Sequence, residues 1–531
     1  MKYNVAIVGG GMAGLTAGAY LSRAGLSVAV FEKEKTMGGL VNSFERGGFT
    51  FDGGIRAIEN SGIILPMLTQ LGLELEFLSS GVSVGFGHDV LRLKSSKSLE
   101  DYRQLLHRQF SANKDDIDAI IVEISRVMEY MDVLYGIDNP LFLDLRSNPS
   151  YVYKTIVPWM LKYILTMPKV AKLNMPVDEY LARFTRNQAL IDMIGQHFFK
   201  KTPSFFALSY FSLYLDYKYP KGGTGSLPGK LEAFIREHGG VLCPGTLVTS
   251  IDPSNRKILD SNGKEYEYDK VLWAADLRCL YRNVDVASIR DKRAATRIAA
   301  KAREVADKKG GDSIFTLYMA LGLEPRYFSD IASAHFFYTP VTTGLSALGL
   351  EPPASDDKAA LLAWTKTYLE RTTYEISCPV LRDPSLAPRG KTGLIVSTLM
   401  DYGLVHRARR LGWYDEFKDY CSALIVEVLD ESIYPGLKAA IEFSFCSTPL
   451  TIERTTGNSD GAITGWAFTN DGIPAVHDLP KVASSVKTPI PDVYQAGQWT
   501  FSPSGLPISI LTGKLAADAI VKSLKIVAPH L

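Results

Sequence analysis

Val5-Ala6-Ile7-Val8-Gly9-Gly10-Gly11-Met12-Ala13-Gly14 decides how the rest of this chain is read. Four apolar residues form a buried strand, G-x-G-x-x-G follows at once, and helical periodicity continues beyond it. A second apolar run, Val28-Ala29-Val30-Phe31, ends in Glu32. Together these are the parts of a dinucleotide-binding βαβ unit. Gly9 allows the tight turn, Gly11 lets a pyrophosphate approach the backbone, and Gly14 lets the helix pack close to the strand. The helix that begins near Met12 offers unpaired N–H groups and its positive dipole end to the phosphates. Glu32 accepts hydrogen bonds from both ribose hydroxyls and repels a 2′-phosphate, which favours FAD or NAD. The competing reading is a glycine-rich turn in an ordinary α/β domain.

Further glycines favour FAD. Gly38-Gly39 follows Glu32, and Phe49-Thr50-Phe51-Asp52-Gly53-Gly54 reads as an alternating strand that ends in a glycine turn. A unit that binds only NAD runs directly into its next βα element. A glycine turn and strand suit a cofactor whose body continues past the pyrophosphate. Near the other end of the chain, Asp492–Gln498 reads as a strand with a glycine turn, and Ile508–Leu524 reads as a helix. That helix either brings a second positive N-terminus to the cofactor or simply closes the sheet. Between them, Leu247–Ile251, Lys257–Leu259 and Glu265–Ala275 form a meander, so the cofactor domain is discontinuous.

Composition narrows the class. The chain has 531 residues and a net charge of +1, room for two or three domains and no argument for nucleic acid. Its five cysteines are scattered without C-x-x-C or metal-ligand spacing, and its eight histidines form no cluster. The apolar N-terminus fits the nucleotide fold better than a signal peptide. No run of about 18 apolar residues predicts a spanning helix. The expectation is a cytoplasmic enzyme, soluble or peripheral on a membrane, without a metal.

These blocks resemble the FAD-dependent phytoene desaturase, carotenoid isomerase and retinol saturase group of amine-oxidase-like flavoproteins. The resemblance rests on Gly9-x-Gly11-x-x-Gly14, Glu32, Gly38-Gly39, Phe51-Asp52-x-Gly54 and Pro220-Lys221-Gly222-Gly223-Thr224-Gly225-Ser226-Leu227-Pro228. It continues through Gly457-x4-Gly461-x3-Gly465-Trp466, Tyr494-x-Ala496-Gly497-Gln498-Trp499 and Gly505-x-Pro507. Roughly residues 101–201 and 285–311 fall outside it. The resemblance implies that Gly9, Gly11, Ala13, Gly14, Glu32, Lys33, Gly39 and Val248 hold the AMP half of FAD, with Met12 and Gly38 also in the cofactor site. Gly497, Gln498, Pro507 and Ile508 then lie along the ribitol and flavin, with Leu40, Gly54, Ile55 and Arg56 close by. Leu40 stands where amine oxidases carry an arginine, leaving Lys33 or Arg56 as substitutes. The lysine that amine oxidases place near the flavin has no counterpart here.

The resemblance also implies reaction at a C=C bond of a polyene, isoprenoid or other unsaturated lipid: desaturation, saturation or cis–trans isomerisation. Arg56 and Glu59 are the catalytic candidates, Arg56 to stabilise an anion and Glu59 as a proton donor if burial raises its pKa. Alternatively, the two merely pair with each other or with the pyrophosphate. The stretch 151–175 holds four lysines and no acid among aromatics and aliphatics, which suits a membrane-surface helix with Trp159 at headgroup depth or a helix buried against its neighbours. Ser204–Tyr214 either lines an apolar tunnel or is plain core. No second complete G-x-G-x-x-G predicts an NADPH domain, and the electron partner is open. Two alternatives stand beside the main reading: an amine or porphyrinogen oxidase, and a lipid carrier like the Rab GDP-dissociation inhibitors.

The expected architecture is a Rossmann-type α/β FAD domain interleaved with an α+β substrate domain built of both sheet and helix. Residues 1–97, 220–284 and 486–531 are assigned to FAD binding, 98–219 to a helical substrate or membrane-facing region, and 285–485 to the substrate domain. Ser313–Leu321 and Thr392–Met400 are expected to lie in its antiparallel sheet.

Overall fold

The computed structural model describes residues 1–145, 149–349 and 351–525. Residues 146–148 of the helical region and 526–531 of the last FAD segment therefore lie outside the described residues.

The run Val5–Val8 lies in the strand Lys2–Val8, at the centre of a seven-stranded sheet. Val28–Glu32 and Glu265–Trp273 flank it in parallel, and Val241–Pro244 and Val493–Gln495 extend the parallel set on either side. Three distant segments thus share one sheet. The strands carry continuous apolar runs because both faces are covered. Val5, Ile7, Val28 and Val30 pack under the helices Met12–Arg23, Ser226–Glu237 and Leu506–Ser523. Ala6, Val8, Ala29 and Phe31 pack on the opposite side with Leu277, Leu280 and Ile298. The meander Val248–Asp252, Lys257–Asp260, Glu265–Trp273 joins antiparallel.

The first and last helices cross at small residues. A Cβ on Gly513 would lie 2.5 Å from the carbonyl oxygen of Ala13, so this contact requires glycine. The last helix is therefore both sheet cover and, with Leu506, Pro507 and Ile508 at its open N-terminal end, part of a cavity wall.

A second seven-stranded sheet runs in the order Ile441–Ser447, Ser313–Leu321, Thr392–Met400, Tyr374–Ser377, His335–Thr339, Val82–Phe86, Asp89–Leu93. Ser313–Leu321 pairs antiparallel with Thr392–Met400 along its whole length. Only His335–Thr339 and Val82–Phe86 run parallel. The boundary at residue 97 shifts here, because Val82–Phe86 and Asp89–Leu93 complete the second sheet rather than the first. Their mixed pattern of burial fits an edge hairpin covered on one face by helices. A small sheet of Ile58–Glu59, Tyr217–Pro220 and Phe77–Ser79 bridges the two parts.

The described residues between 98 and 216 are largely helical, and the strand Tyr217–Pro220 closes the stretch. The longest elements are Lys114–Tyr135, Val157–Ala171 and Ser204–Asp216.

Candidate active site

The glycine turns converge on one cavity of about 1140 Å³ between the two sheets. Gly9 has φ +106°, and a Cβ there would meet the Ala274 carbonyl oxygen at 2.6 Å. Gly11 is the opposite case: nothing lies within 4 Å of its Cβ position, so it opens onto free space at the N-terminus of Met12–Arg23. No side chain caps that helix, leaving its first N–H groups for an anion. Gly38 N donates to Gly10 O at 2.8 Å, which lays the Gly38-Gly39 turn along the first glycine loop. All the expected cofactor residues line this cavity except Gly14. Gly14 acts one layer behind, where an added Cβ would sit 2.0 Å from Gly9 O.

Glu32 ends its strand with Oε2 accepting from Gly10 N at 2.8 Å and Oε1 accepting from Glu34 N at 2.9 Å. Burial pushes its pKa up against these two bonds. Its carboxylate is fixed at the cavity edge, where a ribose would lie beside the glycine loop.

The cations expected to replace the missing arginine at Leu40 are committed elsewhere. Lys33 Nζ donates to Arg454 O and lies 3.7 Å from Glu34. Arg56 is buried, and its guanidinium donates to the carbonyls of Asp52 and Gly54 and to Ser397 Oγ at 3.2 Å. Its partners are thus backbone carbonyls and a hydroxyl rather than Glu59. Arg56 clamps the glycine turn to the second sheet, with its Nε left unpaired. Leu40 contributes backbone, its carbonyl accepting from Ile55 N at 3.0 Å.

Asp52 is the hub of this junction. Its Oδ1 accepts from Ser43 Oγ, Thr224 N and Thr224 Oγ1 at 2.7–2.9 Å, and its Oδ2 accepts from the Tyr219 hydroxyl at 2.7 Å. The Pro220–Pro228 block therefore acts by tying the hairpin Ser43–Asp52 in place. Gly225 N adds a bond to Ser43 Oγ at 2.9 Å.

Glu59 faces the cavity from the bridging sheet, opposite Tyr217. Burial first, and then the charge of Asp216, push its carboxyl up to about 7. The condition for a proton donor is met. Beyond it the wall becomes apolar: Phe205, Phe206, Tyr210 and Leu213 line the cavity, whereas Ala207, Leu208, Phe211 and Tyr214 of the same helix face the core. Tunnel and core are two faces of one helix. His197 is a packed histidine, bonded to the Tyr214 hydroxyl at 3.0 Å and pushed down to about 4 by burial.

At its far end the cavity reaches Met167, Val170 and Ala171, the inner face of Val157–Ala171. Trp159 turns inward and donates to Val133 O, so it is not available at headgroup depth. Sequence reading missed His335 and Glu375, which also line the cavity. They lie outside every glycine motif, on strands whose pairing alone brings them there.

The sequence profile described as "Flavin containing amine oxidoreductase" matches residues 12–300. The chain belongs to that family. It is an FAD-dependent oxidoreductase, and the cradle above has the open glycine face and uncapped helix that FAD requires. The 4,4′-diapophytoene desaturase (4,4′-diaponeurosporene-forming) of Staphylococcus aureus strain COL is 22% identical over 98% of this chain and 99% of its own. An oxidoreductase from Methanosarcina mazei has the same fold, with TM-score 0.60 at 14% identity over 98% of this chain and 100% of that one. Putrescine oxidase bound to putrescine superposes with TM-score 0.59 at 13% identity over 98% and 99%. Among the described residues no helix of this flavoprotein is long and apolar enough to cross a membrane.

Proposed function

We propose that this flavoprotein transfers hydrogen at C=C bonds of a polyene or isoprenoid lipid drawn from a membrane surface. One observation carries the reading. The cofactor cradle opens into a wall of phenylalanine, tyrosine and leucine, and the cavity runs on to a helix that is apolar on its outer side as well. On Val157–Ala171 the positions Val157, Met160, Leu161, Ile164 and Leu165 form a single exposed stripe at helical spacing. Leu161 is 63% and Leu165 71% exposed. Lys154, Lys162, Lys169 and Lys172 flank the stripe without an acid, a charge pattern that suits anionic headgroups. A long apolar substrate would leave the bilayer under this helix and pass along its inner face. The full-length similarity to a desaturase of a carotenoid precursor supports the same class.

FAD supplies two-electron hydride chemistry when bound. The residues here supply position and protons. Arg56 fixes the turn at the junction of the sheets, the aromatic wall excludes water, and Glu59 holds a proton near neutrality.

The test is anaerobic mixing of the holoenzyme with 4,4′-diapophytoene in phosphatidylglycerol vesicles, following flavin absorbance and polyene spectra. Bleaching of the flavin with a red-shifted polyene is expected. No bleaching by the polyene, with bleaching by putrescine, would replace this reading by amine oxidation.

A further inference from the structure

An ionised carboxylate is costly in a wall of aromatic and aliphatic side chains, yet this cavity holds one that no lysine or arginine among the described residues neutralises by contact. Glu375 lies on Tyr374–Ser377, opposite Ser397 on one neighbouring strand and Phe337 on the other. Residues opposite one another share a face of the sheet, and this face looks into the cavity beside Thr316 and Tyr318. Glu375 is deep in the protein, but 35% of its side chain is accessible. That open area belongs to the cavity, not to the outer surface.

Its one ion-pair contact among the described residues is His335, whose Nε2 lies 3.0 Å from Glu375 Oε1, a charge contact rather than a formed hydrogen bond, since neither ring nitrogen has a hydrogen-bond partner among the described residues. His335 is 1% exposed. The Tyr217 ring lies 5.2 Å and the Phe337 ring 5.0 Å from its imidazole, so packing fixes it. Burial opposes the charge on Glu375, but the His335 contact and the fields of Arg56 and Arg382 outweigh it and hold the carboxyl below its usual range. Burial holds His335 below the usual imidazole range as well. The cavity thus meets its contents with a fixed negative charge at Glu375 and a proton-bearing carboxyl at Glu59. Two carboxyls tuned apart in one site divide the acid and base roles between them.

We propose that Glu375, oriented by His335, is the catalytic base that stabilises positive charge on the substrate chain and removes its proton. The proposal rests on the C=C reading above. In desaturation a hydride leaves one allylic carbon with its electron pair, reducing the bound flavin and leaving an allylic cation. The adjacent C–H bond then supplies the electrons of the new π bond, and its proton passes to a Glu375 oxygen. The substrate loses two electrons and two hydrogens; the flavin gains the electron pair with the hydride, and the carboxylate gains the proton. A weak base suffices because a cation next to a C–H bond makes it strongly acidic. The fixed charge also favours the developing cation over the neutral chain, the electrostatic form of transition-state binding.

Two readouts test this. The first is binding to the holoenzyme, followed by flavin fluorescence, of geranylgeranyl dimethylamine, cationic at neutral pH, against its uncharged carbon isostere. The wild type should prefer the cation by about tenfold or more, Glu375→Gln should lose that preference, and Glu375→Asp should keep it. Equal preference in wild type and Glu375→Gln would overturn the proposal. The second is single-turnover bleaching by 4,4′-diapophytoene, expected to slow by about 10²–10⁴-fold in Glu375→Gln with FAD content unchanged. An unchanged rate would also overturn it. If Glu375→Gln fails to fold, Glu375→Asp decides: loss of the cation preference there counts against the proposal. A wild type that polyenes never bleach would remove the C=C reading itself, an outcome separate from the behaviour of the variants.

Discussion

The two ends of the cavity are built on opposite principles. At the nucleotide end the working surface is backbone: Gly9, Gly11 and Gly38 admit no side chain without a clash or loss of open space. At the far end it is side chain, with Met167, Val170 and the aromatic face of Ser204–Asp216. A backbone cradle has one workable geometry and tolerates almost nothing. A wall of large apolar groups has many near-equivalent packings, so it can follow a substrate without disturbing the cofactor.

The contrast breaks most easily at Gly14. In Gly14→Val the new Cβ would be driven against Gly9 O at 2.0 Å, a backbone contact that no rotamer relieves. We expect loss of flavin absorbance and of cooperative melting, well beyond the about 1–3 kcal/mol of ordinary overpacking. A purified variant with full FAD would show that the cradle is not rigid.

Midway along, Glu59 sharpens the comparison. Its carboxyl is pushed from the ordinary 4.5 to about 7 by burial and Asp216, and it faces Tyr135, Tyr210 and Tyr217. Between those values the folded protein keeps a proton that the unfolded chain has released. Stability therefore falls as pH rises through this window, by up to about 3 kcal/mol. Glu59→Gln should flatten that fall and melt above wild type at pH 8. Melting curves that track wild type from pH 5 to 8 would remove the buried-acid assignment.

The smallest effect is expected at the outer helix. Leu161→Glu with Leu165→Glu should weaken sedimentation with phosphatidylglycerol vesicles by about tenfold, two exposed side chains being worth about 1–2 kcal/mol at an interface. Melting and flavin content should not move. Unaltered sedimentation would detach the helix from membrane binding.

Legibility in the sequence follows the same contrast. The strand–glycine–helix, Glu32 and the terminal helix are readable because backbone constraints leave their mark at fixed spacing. The Ser313–Leu321 and Thr392–Met400 pair is readable because each is a long apolar run. The assignment of 82–93 was not readable, since a short hairpin carries no sign of which sheet it will join. Nor was Glu375: strand pairing brings it to a cavity lined by residues 56 and 59, and periodicity cannot express that distance. Arg56 lines the cavity as expected, but its partners were not readable, because Asp52 and Ser397 meet it only after both sheets have formed.

The crossing of Gly513 over Ala13 has a consequence for synthesis. A nascent chain exposes its glycine loop at residues 9–14 early but lacks the opposite wall until the helix Leu506–Ser523 has left the ribosome. Closing so large a loop adds little entropy cost over closing one half its length, about 0.6 kcal/mol, so the delay is one of order rather than of energy. Flavin capture is thereby a late event, and a chain cut short before the last helix is left without its clasp.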